Sequence, residues 1–196
     1  MKQASFRSAQ WIRTLVVTLA LALVALAAPT LGRQDIPELP KPDGSGDTPE
    51  ISISLVDNST LKLSSLRGKV VLLDFFWSQC MHCQQHTPHI VELYNQFSKR
   101  GLNIVGLADP RDTKETAQAY MKQMKIAYPV GLTNLEVIAY YIDSHDHSVP
   151  QMVLFGADGK MVRRWIGWGE NSKKELSDVL EEQLKKAEAK SSTKPN

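Results

Sequence analysis

Cysteine is almost absent from this chain: two in 196 residues, at positions 80 and 83. With no second pair, a four-thiolate zinc site cannot be assembled from them. Position 84 is Gln rather than His, so the pair is not a covalent haem-attachment motif. Charge of either sign is also scarce in the net, at +2, and no basic stretch is interleaved with aromatics. That excludes nucleic acid as an expected partner. No internal repeat is present. No cysteine follows the one long apolar run, near the N-terminus, which excludes lipid attachment there.

What is there begins with that run. Lys2, Arg7 and Arg13 precede an apolar segment from Leu15 to Ala28, and Ala25-Leu26-Ala27 offers a small-x-small cleavage site. This is the layout of a secretory signal. The run is short against the ~20 residues of a spanning helix. Residues 1–28 are therefore expected to be a signal peptide, with an uncleaved membrane anchor as the alternative and membrane contact only in that case. Export places the thiols in a periplasmic or other extracytoplasmic compartment, where disulfides persist. Residues 29–50 are rich in Pro, Gly and Asp and read as a flexible linker. Residues 51–185 carry the periodicity of one folded domain, and 186–196 are expected to fray.

Within the domain, Ile51, Ile53 and Leu55 alternate with polar residues, Asp57-Asn58 turns the chain, and Leu61 and Leu63 alternate again, as in a β-hairpin. Val70–Phe76 reads as a buried strand, and Ile90, Leu93, Tyr94 and Phe97 fall on one face of a helix. A second strand is expected at Leu102–Leu107, and a helix capped by Asp112 or Thr113 runs to about Lys125. A brief strand after Pro129, a short helix near Leu135–Tyr141 and a polar loop from Asp143 to Ser148 follow. Gln151–Phe155 and Lys160–Ile166 flank Gly156-Ala157-Asp158-Gly159 as a hairpin. Asn171 or Ser172 should cap a last helix with Leu176, Val179, Leu180 and Leu184 inward.

This order puts Cys80 where a strand hands over to a helix. Unpaired amide N–H groups and the positive end of the macrodipole favour a thiolate there. Cys83 follows one turn later, within disulfide reach. Cys80 is the expected nucleophile and Cys83 the residue that resolves a mixed disulfide. A purely structural bridge is the weaker reading, because so short a ring constrains little of the unfolded chain.

The hairpin ending in Leu63-Ser64-Ser65-Leu66-Arg67-Gly68-Lys69, the strand Val70–Phe75, Cys80-Met81-His82-Cys83, Pro88, and Val149-Pro150 before Val153–Gly159 together resemble the TlpA/ResA-type exported thiol–disulfide oxidoreductases. The resemblance covers roughly residues 48 to 185. It implies an α/β thioredoxin-like fold: a central mixed β-sheet flanked by helices, with an N-terminal β-hairpin and a helical insert near 109–125. It implies protein thiol or disulfide substrates, a membrane or soluble redox partner, and no cofactor beyond the Cys80–Cys83 disulfide. It makes Pro150 the cis-proline, whose Val149 backbone would pair with a substrate strand. It makes Asp74 a buried, unpaired carboxylate behind the disulfide, able to relay the Cys83 proton. Trp77, Gln79 and Val149 are the expected substrate contacts.

The chain also departs from that family. Gln79 stands where an aromatic usually precedes the first cysteine, and His86 stands where a Glu is often found. His82, between the cysteines, also occurs in oxidising members of the wider fold. A hydrogen bond from it to Cys80 would stabilise the thiolate and make the disulfide more oxidising, against the reductant implied by the family. A peroxidase of the peroxiredoxin type is disfavoured, since Leu73 and Trp77 occupy the places of its Pro and Thr. The rival from a different class is a copper-binding metallochaperone using Cys80 and Cys83 with His145 or His147.

Overall fold

The computed structural model describes residues 51–142 and 145–192. The expected signal segment, the linker, residues 143–144 and residues 193–196 lie outside the described residues. Among the described residues no helix is long and apolar enough to cross a membrane.

The sheet is built outward from β3 (Val70–Phe76), which is buried along its whole length. A strand covered on both faces reads as a continuous apolar run, and Val-Val-Leu-Leu-Asp-Phe-Phe is one apart from its single carboxylate. β4 (Leu102–Ala108) pairs with β3 in parallel, and β6 (Gln151–Phe155) pairs with it antiparallel on the other side. β5 (Val130–Leu132) and β7 (Met161–Ile166) complete the order β5-β4-β3-β6-β7. The sheet is therefore mixed, as expected. β1 (Ser52–Ser54) and β2 (Thr60–Lys62) form the N-terminal antiparallel hairpin. It docks on the sheet edge through a bridge between Leu55 and Gly131 and a 3.0 Å bond from Val56 N–H to Val130 O. The approach is so close that a Cβ on Gly131 would lie 2.2 Å from Ile53 Cγ2.

The helices are α1 (Met81–Phe97), α2 (Lys114–Met124), α3 (Leu135–Tyr141) and α4 (Glu170–Ser192). Alternation along β3 divides the core into two layers. Val70, Leu72 and Phe76 pack with Ile90, Leu93 and Phe97 of α1 and with Leu176, Leu180 and Leu184 of α4. Val71, Leu73 and Phe75 face the other way, against Leu63, Val105, Tyr141 and Val153. Asp74 has the parity of Leu72 and Phe76, so its side chain is directed under α1.

Of the two candidate caps of α2 it is Thr113 that serves, in a reciprocal pair with Thr116. Two boundaries differ from the sequence reading. α4 begins at Glu170, before Asn171 and Ser172; Ser172 Oγ instead accepts the Gly169 N–H at 2.8 Å from inside the first turn. α4 also runs past Lys186 to Ser192. There Arg100, in the turn that follows α1, bonds Glu181 at 3.0 Å and Glu188 at 2.8 Å and ties two turns of the helix to that turn.

Candidate active site

Cys80 is the N-cap residue of α1, with extended backbone at φ −78° and ψ 121°. No side chain caps this helix end and its first turn has no acidic residue. The positive end of the helix is left uncompensated, an environment suited to an anion. The Cys80 thiol is half-buried and donates to Val149 O at 3.5 Å. The Val149–Pro150 bond is cis. Cys83 lies one turn inward, at 0 % exposure. Burial pushes its thiol well above the ordinary range. The Trp77 backbone opposes that, while a hydrogen bond to Cys80 and the Asp74 charge add to it. The two sulfurs are thus chemically unequal, one accessible and one withheld.

Behind Cys83 the structure corrects the expectation of an unpaired carboxylate. Asp74 is fully buried, but Oδ1 lies 2.7 Å from Nε2 of His86, itself fully buried. His86 Nδ1 is 2.9 Å from Cys83 O, and Tyr128 OH donates to Asp74 Oδ2 at 3.4 Å. Burial by itself would depress the imidazole, but the charge and hydrogen bond of Asp74 outweigh it and hold His86 above its usual value. Thr87 Oγ1 donates to Cys83 O at 2.8 Å and pairs with Tyr120 OH at 2.7 Å. The Trp168 ring closes the site, its centroid 5.5 Å from both His86 and His89.

The loop before Cys80 is fixed by Asp112, which sequence reasoning treated only as a candidate cap. Asp112 Oδ2 accepts the Ser78 N–H at 2.9 Å, and Oδ1 accepts the Ser78 hydroxyl. Gln84 Nε2 donates to Ser78 O at 2.9 Å. Arg111 was also missed: its guanidinium sits 4.1 Å over the Trp77 ring while pairing with Asp109 at 2.6 Å. Gln79 and Met81 are exposed beside Cys80, Met81 at 67 %. A cavity of about 380 Å³, lined in part by Phe76, Pro110, Arg111, Thr133 and Val149, opens next to the cis-proline. Pro88 rides on an exposed position of α1 without ending it.

Two expected contacts are not made. His82 is exposed and forms no hydrogen bond to Cys80 among the described residues, because its position on the first turn points it to solvent. His145 and His147 are exposed on their loop. Among the described residues no three His, Cys, Asp or Glu side chains gather closely enough to hold a metal ion. The copper reading therefore draws no support from the geometry.

A mixed sheet, a dithiol at a helix start, one open and one buried thiol, and a cis-proline beside the open one define a thioredoxin-fold thiol–disulfide oxidoreductase. Comparison with known proteins agrees. Residues 46–164 match the AhpC/TSA family, and the chain belongs to that family. It is 27 % identical over 136 residues to the thiol-disulfide oxidoreductase ResA of Bacillus cereus, covering 69 % of this chain and 75 % of the relative. It is 28 % identical over 158 residues to ResA of Bacillus subtilis, covering 78 % and 82 %. The crystal structure of a thiol:disulfide interchange protein of the thioredoxin family from Chlorobium tepidum superimposes with a TM-score of 0.63 at 28 % identity, over 70 % of this chain and 95 % of that one.

Proposed function

We propose that this is an exported oxidoreductase that exchanges disulfides with protein substrates, Cys80 attacking and Cys83 resolving. The observation that carries the reading is the inequality of the two thiols: Cys80 half-exposed at the helix start, Cys83 buried one turn behind it. In the reducing direction the Cys80 thiolate attacks one sulfur of a substrate disulfide. That S–S bond breaks and the other substrate sulfur departs as a thiolate. Cys83 then attacks Cys80 Sγ, forming the internal disulfide and expelling the second substrate sulfur. Two electrons pass to the substrate, and the reverse sequence oxidises a dithiol.

Val149 O, within 3.5 Å of Cys80 Sγ, supports docking of an extended substrate segment along the cis-proline backbone. Trp77, steadied by Arg111, and the exposed Gln79 flank that path. Export is supported by the basic N-terminal segment and the apolar run after it. The reducing direction is favoured over the oxidising one, since the His82 contact that argued for an oxidant is not made. A membrane or soluble thiol donor then regenerates the dithiol.

The test is a pair of cysteine variants with a disulfide-bonded protein such as insulin. Cys80→Ser abolishes turnover, while Cys83→Ser accumulates mixed disulfides through Cys80. Mixed disulfides forming through Cys83 in Cys80→Ser, with turnover kept, would reverse the assignment.

A further inference from the structure

The exchange steps leave one piece of buried polar chemistry unused, the Asp74–His86 pair. Both ring nitrogens of His86 face acceptors, Cys83 O at 2.9 Å and Asp74 Oδ1 at 2.7 Å. A backbone carbonyl has no proton to give, so Nδ1 must carry one. The short contact between Nε2 and the carboxylate requires a second proton between them. The pair therefore already holds its full complement, two protons over the two side chains at zero net charge, and the charge and hydrogen bond of Asp74 hold it as a carboxylate and an imidazolium. A further proton on Asp74 would leave a buried cation. Loss of one would leave either a buried anion or a lone pair against the Cys83 carbonyl. Both are strongly disfavoured at sites with 0 % exposure.

The surroundings do not relieve this. From the segment before β5, Tyr128 gives a neutral hydroxyl to Asp74, and from α2 Tyr120 reaches the cluster only through Thr87. From the segment before α4, Trp168 covers the ring. Beyond it stands His89, held below its usual value mainly by burial, with Glu92 beside it and Lys173 of α4 nearby. On α1 itself, His89 and Glu92 apart, the neighbours are the Thr87 hydroxyl and the two thiols. None supplies a second counter-charge to the pair.

On the dithiol reading above, we propose that His86 is a positioning residue that removes Asp74 from the proton traffic of the dithiol. The Cys83 proton passes instead to the departing substrate sulfur. The balance closes without a buried base: Cys83–SH and the Cys80–S–S–R mixed disulfide give the Cys80–Cys83 disulfide and R–SH. His86 thus makes the resolving step independent of a carboxyl titration that an isolated Asp74 would impose.

Two measurements test this. Side-chain nitrogen NMR of the reduced full chain, with His86 assigned by His86→Gln or by its contact to Trp168, should give the imidazolium pattern from about pH 6 to about pH 8. Mixed-disulfide resolution, followed by rapid quench, should lack an Asp74 inflection in wild type. In His86→Gln the carboxylate loses its counter-ion, and the rate should fall about tenfold per pH unit below a new inflection. His86→Gln combined with Asp74→Asn should remove that inflection. A ring that becomes neutral below about pH 8 would overturn the proposal, as would a wild-type inflection abolished by Asp74→Asn. If His86→Gln does not fold, the NMR pattern and the wild-type/Asp74→Asn comparison decide it. The NMR pattern reads the pair without turnover, so a protein that exchanges no disulfides would defeat the functional reading separately.

Discussion

Breaking the Asp74–His86 pair should be among the most costly single changes in the domain, and the cost should depend on pH with a definite sign. His86→Gln strands a carboxylate at 0 % exposure with only a long bond from Tyr128. Removing one partner of a buried ion pair costs about 3–5 kcal/mol, against about 1 kcal/mol for an ordinary hydrogen bond. At about 2–4 °C per kcal/mol for a domain of this size, the midpoint should fall by roughly 10 °C. The neutral pair His86→Gln/Asp74→Asn keeps a hydrogen-bonding group at each place and should recover most of the loss. Because folding raises the pKa of His86 above its unfolded value of about 6.5, its stabilisation is fully present below about pH 6.5. It is lost as pH rises through the folded value. Urea unfolding at about pH 6 and about pH 9 should then give a wild-type advantage over the non-titrating pair His86→Gln/Asp74→Asn that is larger at the lower pH. An advantage over His86→Gln at about pH 6 below about 1 kcal/mol, or one over the double variant that grows with pH, would refute the ion-pair assignment.

Other changes have equally direct expectations. Alkylation of the reduced protein should modify half-exposed Cys80 long before Cys83, as peptide mapping of a time course would read; early label on Cys83 would contradict the burial. Asp112→Ala frees the buried Ser78 N–H and hydroxyl. It should cost about 1–3 kcal/mol and slow insulin reduction by loosening the approach to Cys80. Gly131→Ala drives a methyl to within 2.2 Å of Ile53 and should cost about 1–3 kcal/mol in a denaturant titration, with the hairpin the first part to lose hydrogen-exchange protection. Since His82 is exposed and unbonded to Cys80, His82→Pro should shift the redox potential by less than about 30 mV, measured against glutathione; a larger shift would restore the oxidant argument.

The central strand and the dithiol helix were legible in the sequence because each rests on local pattern, an apolar run and two cysteines at a helix start, whereas the cis-proline was expected only from the family resemblance. Asp74 was legible as buried for the same reason, a carboxylate inside an apolar run. Its partner was not, because His86 is twelve residues on and reaches Asp74 only once α1 crosses β3. A signal did exist. Cys83, His86, Thr87, Ile90, Leu93 and Phe97 share one face of α1, so the two polar members stand on the side that the core must cover. Asp112 was legible only as one of two candidate caps, because a helix cap and a loop anchor call for the same residue type and only the position of Ser78 separates them. The ties from Arg100 to Glu181 and Glu188 of α4 join residues some eighty apart in sequence, and no local pattern encodes them.

Trp168 gives the protein a clock. The indole packs edge-on against the fully buried imidazole of His86, so hydrogens on that ring meet solvent only through a local opening. The segment leading into α4 is the covering element nearest the surface. Transferred into deuterated water, those two ring hydrogens should persist after exposed histidines such as His82 have exchanged. Their decay rate then times the opening of one small hatch over the dithiol's floor. A redox partner that grips this side of the molecule should slow the clock, and one that approaches only from Cys80 should leave it running unchanged.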